Sequence, residues 1–174
     1  MRSSTIVTTT VLAALLLVAH APPARARKAR TRAEKGLGPV ATAVLREPQK
    51  AWRAVLRVIG AMKAQARAMR SRKTIVGYPP RGPLRALATD KAAAAGVLVL
   101  DDSSHHFGLR RRCANKRWHG ARFERDGTLV ELIVGTPCDQ LIIARRTKRG
   151  AALWGVVMRR AAATKLRRLL GAKK

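Results

Sequence analysis

The chain has 174 residues and carries 37 Lys/Arg against 9 Asp/Glu, a formal charge of +28. That length suits one small domain with extensions. A large positive field attracts anionic surfaces in general, among them nucleic acid, anionic lipid, lipopolysaccharide and acidic glycans, without choosing among them. The six aromatic residues (three Trp, one Tyr, two Phe) supply no run of stacking platforms, which argues against single-stranded nucleic acid.

The first residues read as a signal peptide over 1–21. Arg2 is followed by an apolar run from Val11 to Ala19 and by Ala19-His20-Ala21, an A-x-A cleavage pattern. The run is too short to span a bilayer, so no transmembrane segment is expected in the mature chain. A mitochondrial-type presequence is the alternative, and would be Arg-rich and amphipathic instead. The expectation is an exported protein, periplasmic or secreted.

Residues 22–47 read as a basic disordered linker, since residues 22–38 hold six bases, one acid and Leu37 as the one large apolar residue. From Pro48 to Arg72 the residues Trp52, Val55, Leu56, Ile59, Met62, Ala66 and Met69 recur at spacings of three and four, which predicts an amphipathic helix. Its arginines Arg53, Arg57, Arg67 and Arg70 lie mostly off that stripe. They are candidates for anion binding, including peripheral contact with anionic membrane. Thr74 to Tyr78 is expected as a short edge strand, ended by Pro79-Pro80. Thr89-Asp90 opens a predicted helix that runs to Leu100 and stops at Asp101-Asp102-Ser103-Ser104, although Val97–Leu100 could be a strand.

Cys113 to Cys138 is the organising stretch. Asp126-Gly127 is a hairpin signal, because a primed two-residue turn needs positive φ at both central positions. Counting outward pairs Arg125 with Thr128, Phe123 with Val130, Ala121 with Leu132 and His119 with Val134 on one mostly apolar face. The other face puts Arg122 opposite Glu131, with Leu129 and Ile133 as apolar positions that a further element would partly cover. The same register brings Cys113 and Cys138, the two cysteines of the chain, close to opposition, and a disulfide is expected in an exported protein. Strands are predicted over His105–Arg111 and Asp139–Arg146, and a C-terminal helix over Ala151–Leu170. Residues 145–174 hold eleven bases and no acid, so Arg159, Arg160, Arg167 and Arg168 join the candidate anion-binding set. By contrast, residues 101–144 hold seven Lys/Arg and six Asp/Glu, a near-neutral core between basic flanks. The fold class is α+β: a three- to four-stranded antiparallel meander around the Asp-Gly hairpin, flanked by basic amphipathic helices. It forms a single domain over 48–174 with its sheet core at 105–146.

Leu98-Val99-Leu100-Asp101, then Cys113, the hairpin Gly120-Ala121-Arg122-Phe123 and Leu129-Val130-Glu131-Leu132-Ile133, then Cys138-Asp139-Gln140-Leu141 together resemble a group of small exported bacterial proteins of unknown function. The resemblance covers residues 84–145 and implies a small α+β domain. It supplies no activity. In that group proline is usual where Asp102 stands, and a cysteine where Gly135 stands.

Cys113, His119 and Cys138 with His105 or His106 make a zinc-type donor set, but no C-x-x-C or H-x3-H spacing supports it. A Cys/His nucleophile needs a free thiolate, which the expected disulfide removes. Asp101, Asp102, His105 and His106 form a polar cluster that could do acid–base work, or could serve as turn and cap residues. No phosphate loop, serine elbow or metalloprotease helix occurs. No metal or cofactor is expected. The reading is a non-enzymatic module with cationic arms for an anionic envelope surface or acidic protein partner. An enzyme built on the polar cluster and a nonspecific nucleic-acid binder are the alternatives.

Overall fold

A computed structural model describes residues 29–58, 71, 73–109, 114–147 and 150–172. The signal-peptide expectation, Arg67, Arg70 and Cys113 lie outside them. The elements in chain order are α1 (Arg32–Arg46), β1 (Lys50–Leu56), β2 (Arg85–Ala86), α2 (Thr89–Leu100), a 3-10 turn (Asp102–Ser104), β3 (His105–His106), β4 (Arg117–Arg125), β5 (Thr128–Thr136), β6 (Gln140–Thr147), β7 (Gly150–Met158) and α3 (Arg160–Leu169). The fold is α+β, and the described residues form seven strands in one antiparallel sheet rather than three or four, in the order β2-β1-β4-β5-β6-β7-β3.

The sheet's centre is the β4–β5 hairpin. Asp126 and Gly127 both have positive φ (49° and 71°), and the pairs run from Arg125↔Thr128 through Ala121↔Leu132 to Arg117↔Thr136. Side chains alternate across a strand. One face therefore carries Ala51, Ala121, Phe123, Val130, Leu132, Val134, Leu141 and Ile143, packed in one buried cluster with residues of α1, α2 and α3. The opposite face carries Leu56, Trp118, Ile133 and Ala144, covered by Ile75, Val76 and Tyr78. That cover explains the apolar Ile133, and it is a tight turn rather than the expected edge strand. Ile75 and Tyr78 exchange two backbone hydrogen bonds (3.0 and 2.9 Å) around Val76 and Gly77, both at positive φ.

Three expected elements take another form. The expected linker over 22–47 contains α1. Thr31-Arg-Ala-Glu34 is a capping box: Thr31 Oγ1 accepts from the Glu34 N–H at 3.1 Å, and Glu34 Oε2 accepts from the Thr31 N–H at 3.2 Å. The helix is broken at Gly38-Pro39, where Gly38 has φ 76°, and Ala41, Val44 and Leu45 are buried beyond the break. The expected helix from Pro48 begins instead as strand β1, paired with β4 from Lys50↔Glu124 to Leu56↔Trp118. The expected helix from Ala151 begins as β7, paired with β6 over eight residue pairs, and α3 follows only from Arg160. Both stretches alternate as well as they repeat at three and four, and the open edges of β4 and β6 give a strand its hydrogen bonds. Of the strand expected over His105–Arg111, His105 and His106 form β3, and Arg110 and Arg111 lie outside the described residues.

α2 runs as expected from Thr89 to Leu100. It packs closely on α1, since a Cβ on Gly96 would collide with the Leu45 carbonyl. Helix α3 ends in a Schellman motif: Ala172 N–H donates to Arg167 O at 2.9 Å and Gly171 N–H to Arg168 O at 3.0 Å, with Gly171 at φ 88°.

Candidate anion-binding cleft

The polar cluster after α2 is used for structure. Asp102 accepts the backbone N–H groups of Arg32 (2.8 Å) and Ala33 (2.9 Å), closing the first turn of α1 from a distant part of the chain. Asp101 accepts from the Ser103 N–H at 2.9 Å and from the Ser103 hydroxyl at 2.5 Å. Those bonds hold its carboxyl below the usual aspartate range. His105 is buried and donates from Nε2 to Val99 O at 2.9 Å. Its ring meets Phe107 and Trp154 edge-on, at 5.6 and 5.7 Å. Burial lowers its pKa, so it is a neutral core residue. His106 is half-buried on β3. Two caps and a core histidine leave no acid–base pair facing one reacting position.

The zinc-type set is not assembled either. His105 and His106 stand on β3 and His119 on β4, four strand spacings apart in the sheet order, or about 19 Å. Cys138 is buried at the turn between β5 and β6. Its N–H donates to Asn115 Oδ1 at 3.1 Å, and Asn115 Nδ2 donates to Gln140 Oε1 at 2.7 Å. Gly135 makes room for that carboxamide, because a Cβ there would strike the Asn115 side chain.

The acids of the chain all fall within the described residues, and most are engaged. Glu131, 1 % exposed, accepts Arg122 Nε and Nη2 (2.9 and 2.8 Å), and its other oxygen lies 3.0 Å from Arg146 Nη2 and 2.8 Å from the Val76 N–H. Asp139 is buried, with Arg167 Nη1 at 2.7 Å and Arg160 Nε at 3.6 Å. Glu34 pairs with Arg46, and Glu47 and Asp126 both pair with Arg125.

What remains is a cleft without an acid. It lies where β1, β2 and β4 meet the end of α3, encloses about 450 Å³, and is lined by Arg53, Arg81, Arg85, Arg117 and His119 together with apolar surface from Val55, Pro83 and Leu170. Among the described residues none of these four arginines has a carboxylate partner. Arg81, Arg85 and Arg117 are exposed, and Arg53 is half-buried. Arg53 lies against Gly171, where a Cβ would strike its guanidinium, so it sits at the negative end of the α3 dipole. His119 is 4 % exposed, and of its ring nitrogens only Nδ1 is enclosed without a partner. Burial first, then the charges of Arg117 and Arg167, push its pKa down to about 4. At neutral pH it is an uncharged imidazole in a wall of guanidinium groups.

Of the arginines read from sequence as anion-binding, Arg53 reaches this cleft, from a strand rather than a helix face. Arg57, Arg159 and Arg168 are exposed elsewhere on the surface. Arg160 and Arg167 face Asp139. Arg167 also donates to Gly135 O and Thr164 Oγ1 at 3.0 Å each, which makes it a tether of α3 to the sheet. Arg81, Arg85 and Arg117 are not among the residues that the sequence singles out. No local pattern marks them, and only the sheet order brings them together. Comparison with protein-family models, with curated proteins and with solved structures found no match. Among the described residues no helix is long and apolar enough to cross a membrane.

Proposed function

We propose that the protein is a non-enzymatic, exported binding module that holds an anionic envelope surface or an acidic partner. The observation that carries this reading is the cleft of Arg53, Arg81, Arg85 and Arg117, whose guanidinium groups have no carboxylate partner among the described residues. Unpaired arginines facing solvent raise the local concentration of anions and offer forked donors to oxyanions. The flanks add a second, diffuse contribution, on the order of 1 kcal/mol per base held close to an anionic membrane. Export follows from the reading of residues 1–21 as a signal peptide. The β4–β5 hairpin would then be closed by a Cys113–Cys138 disulfide, a pairing supported by the contact of buried Cys138 with Asn115, two residues along the chain from Cys113.

The test is sedimentation of the mature protein with vesicles of phosphatidylcholine containing one-fifth phosphatidylglycerol, over a salt series. Binding is expected at low salt, release is expected between 0.1 and 0.5 M (about one Debye length of 10 down to 4 Å), and pure phosphatidylcholine should retain nothing. Retention that ignores salt, or none at any salt, refutes the envelope-surface reading. Mass spectrometry of the protein from its native compartment reads the cleavage site and the thiol state together. A chain that keeps residues 1–21 with both thiols reduced removes the exported, cross-linked form.

A further inference from the structure

We infer that the cleft between β1, β2, β4 and the end of α3 is a built site for an organic phosphomonoester, with Arg81, Arg85 and Arg117 as the oxyanion ligands and Val55, Pro83 and Leu170 as the wall for its carbon part. The inference rests on the anion-binding reading above and names the ligand of that site. Three observations converge on it. The four arginines come from separate segments, Arg53 on β1, Arg81 between β1 and β2, Arg85 on β2 and Arg117 on β4, and none is paired with a carboxylate among the described residues. Arg53 faces the carboxyl end of α3 across Gly171, so its charge is balanced by the helix dipole. Three exposed guanidinium groups are left, and a monoanion would match only one of them. A phosphomonoester is close to a dianion at neutral pH and carries three strong acceptor oxygens. The volume of about 450 Å³ exceeds what a bare phosphate fills, and much of the wall is apolar.

His119 supplies the fourth polar contact. It lines the cleft, is buried, and has its Nδ1 enclosed without a partner. The charges around it are Arg53 from β1, Arg85 from β2, Arg117 on its own strand, Arg81 from the loop, and Arg167 from α3, whose charge Asp139 meets. With the ring neutral, one nitrogen carries a proton, and the cleft-lining His119 can donate it in a hydrogen bond to a phosphate oxygen.

Titration calorimetry on the intact protein at pH 7.5 compares hexyl phosphate, hexyl sulfate and inorganic phosphate. Hexyl phosphate is expected to bind about tenfold more tightly than either of the others. Arg85→Gln and Arg117→Gln, both at exposed positions, should each weaken it about tenfold, as befits the loss of one charged hydrogen bond. Arg117→Lys should recover part of the loss. Affinity should fall as pH drops through about 6, where the second phosphate ionisation is lost. Equal affinity for the phosphate and sulfate esters, or no effect of either glutamine variant in folded protein, overturns the inference. Phosphatidic acid vesicles matched in charge to phosphatidylglycerol vesicles separate the sources. An Arg117-dependent preference for phosphatidic acid points to a lipid headgroup, and hexyl phosphate binding without it points to a soluble ester. Salt-reversible retention on phosphatidylglycerol with no ester preference sinks this inference alone. Ester binding without any vesicle retention sinks only the surface-binding reading.

Discussion

Replacing Glu131 with glutamine tests how the two faces of the sheet are locked. Glu131 is 1 % exposed, and its partners Arg122 and Arg146 are 11 % and 13 % exposed. The carboxylate takes contacts at 2.8–3.0 Å from both guanidinium groups and from the Val76 N–H. The arginines also donate to Thr74 O at 2.8 and 2.9 Å, and Arg146 to Ser71 O at 3.0 Å. The triad therefore staples the 73–78 turn over Ile133 and Trp118. A glutamine keeps the shape, but it turns an N–H₂ toward a guanidinium and leaves two mostly buried positive charges without a counter-charge. Breaking such a buried pair from one side costs ~3–5 kcal/mol. The lower end applies here, because both arginines keep backbone acceptors and some contact with water. Urea unfolding should show a loss of about 3 kcal/mol at unchanged slope, and thermal melting a drop of roughly 10 °C for a domain of this size. The triple change Arg122→Met, Glu131→Leu, Arg146→Met should recover at least half of the loss, since the orphaned charge and not the missing bridge carries the cost. A single variant that loses under about 1 kcal/mol, or a triple variant worse than the single, would refute the reasoning.

Asp102→Ala removes two charge-assisted caps from α1 and should cost about 1–2 kcal/mol in denaturant unfolding. It should leave ligand and vesicle binding unchanged, whereas lost binding or a lost catalytic activity in the folded variant would return the polar cluster to consideration. Gly96→Ala should destabilise by roughly 1–3 kcal/mol even though alanine favours a helix, because the added methyl meets the Leu45 carbonyl. A stabilised variant would show that α1 and α2 are farther apart. His119 sets a pH dependence: its folded pKa is about 4 against an ordinary 6.5. The unfolded chain thus binds the extra proton between those values. Stability is whole above pH 6.5 and falls as pH drops toward 4, by ~3 kcal/mol in full. His119→Gln should flatten that slope in urea unfolding measured from pH 7.5 to 4, and an unchanged slope would remove the claim.

How much of this was legible depends on how far apart the deciding residues are. The Asp126-Gly127 turn is a two-residue rule, so it leads directly to the register Phe123↔Val130 and Ala121↔Leu132. The end of α2 is similarly local, since Asp101 to Ser104 can cap and turn a chain without help. Lys50–Leu56 and Gly150–Met158 are different. Trp52, Val55 and Leu56 satisfy a helical spacing, yet Trp52, Ala54 and Leu56 alternate. A window of seven residues does not decide between the two, and the free edge of β4 does. In the stretch called a linker, the basic composition masked a usable signal. Thr31-x-x-Glu34 is a capping box, and Ala41, Val44 and Leu45 carry a short apolar face. The cleft had no such signal. Arg53 and Arg117 are 64 positions apart in the chain, and nothing in the neighbourhood of either marks it as different from the other bases.

The placement of the acids turns a bulk charge into a statement about function. A chain with 37 bases and 9 acids could scatter its few carboxylates over the surface to soften self-repulsion. Here Glu131 and Asp139 are buried with two arginines each, Glu34 is buried against Arg46, and Asp101 and Asp102 are spent on backbone N–H groups. Folding therefore concentrates the negative charge where it organises helices and turns, and it leaves the guanidinium groups of the cleft uncompensated. Each such group raises the energy of the folded state through repulsion of its neighbours. Arg81, Arg85 and Arg117 line one small volume with no acid among its described lining residues, so their mutual repulsion is relieved only when an anion enters. By linkage, that anion stabilises the fold by RT ln(1 + [L]/Kd). A rise in melting temperature with hexyl phosphate that disappears in Arg85→Gln and Arg117→Gln, while the unliganded variants melt no lower than the parent, is the outcome this charge distribution requires. Variants that melt lower without ligand would show instead that the arginines support the fold, and the cleft would lose its standing as a site.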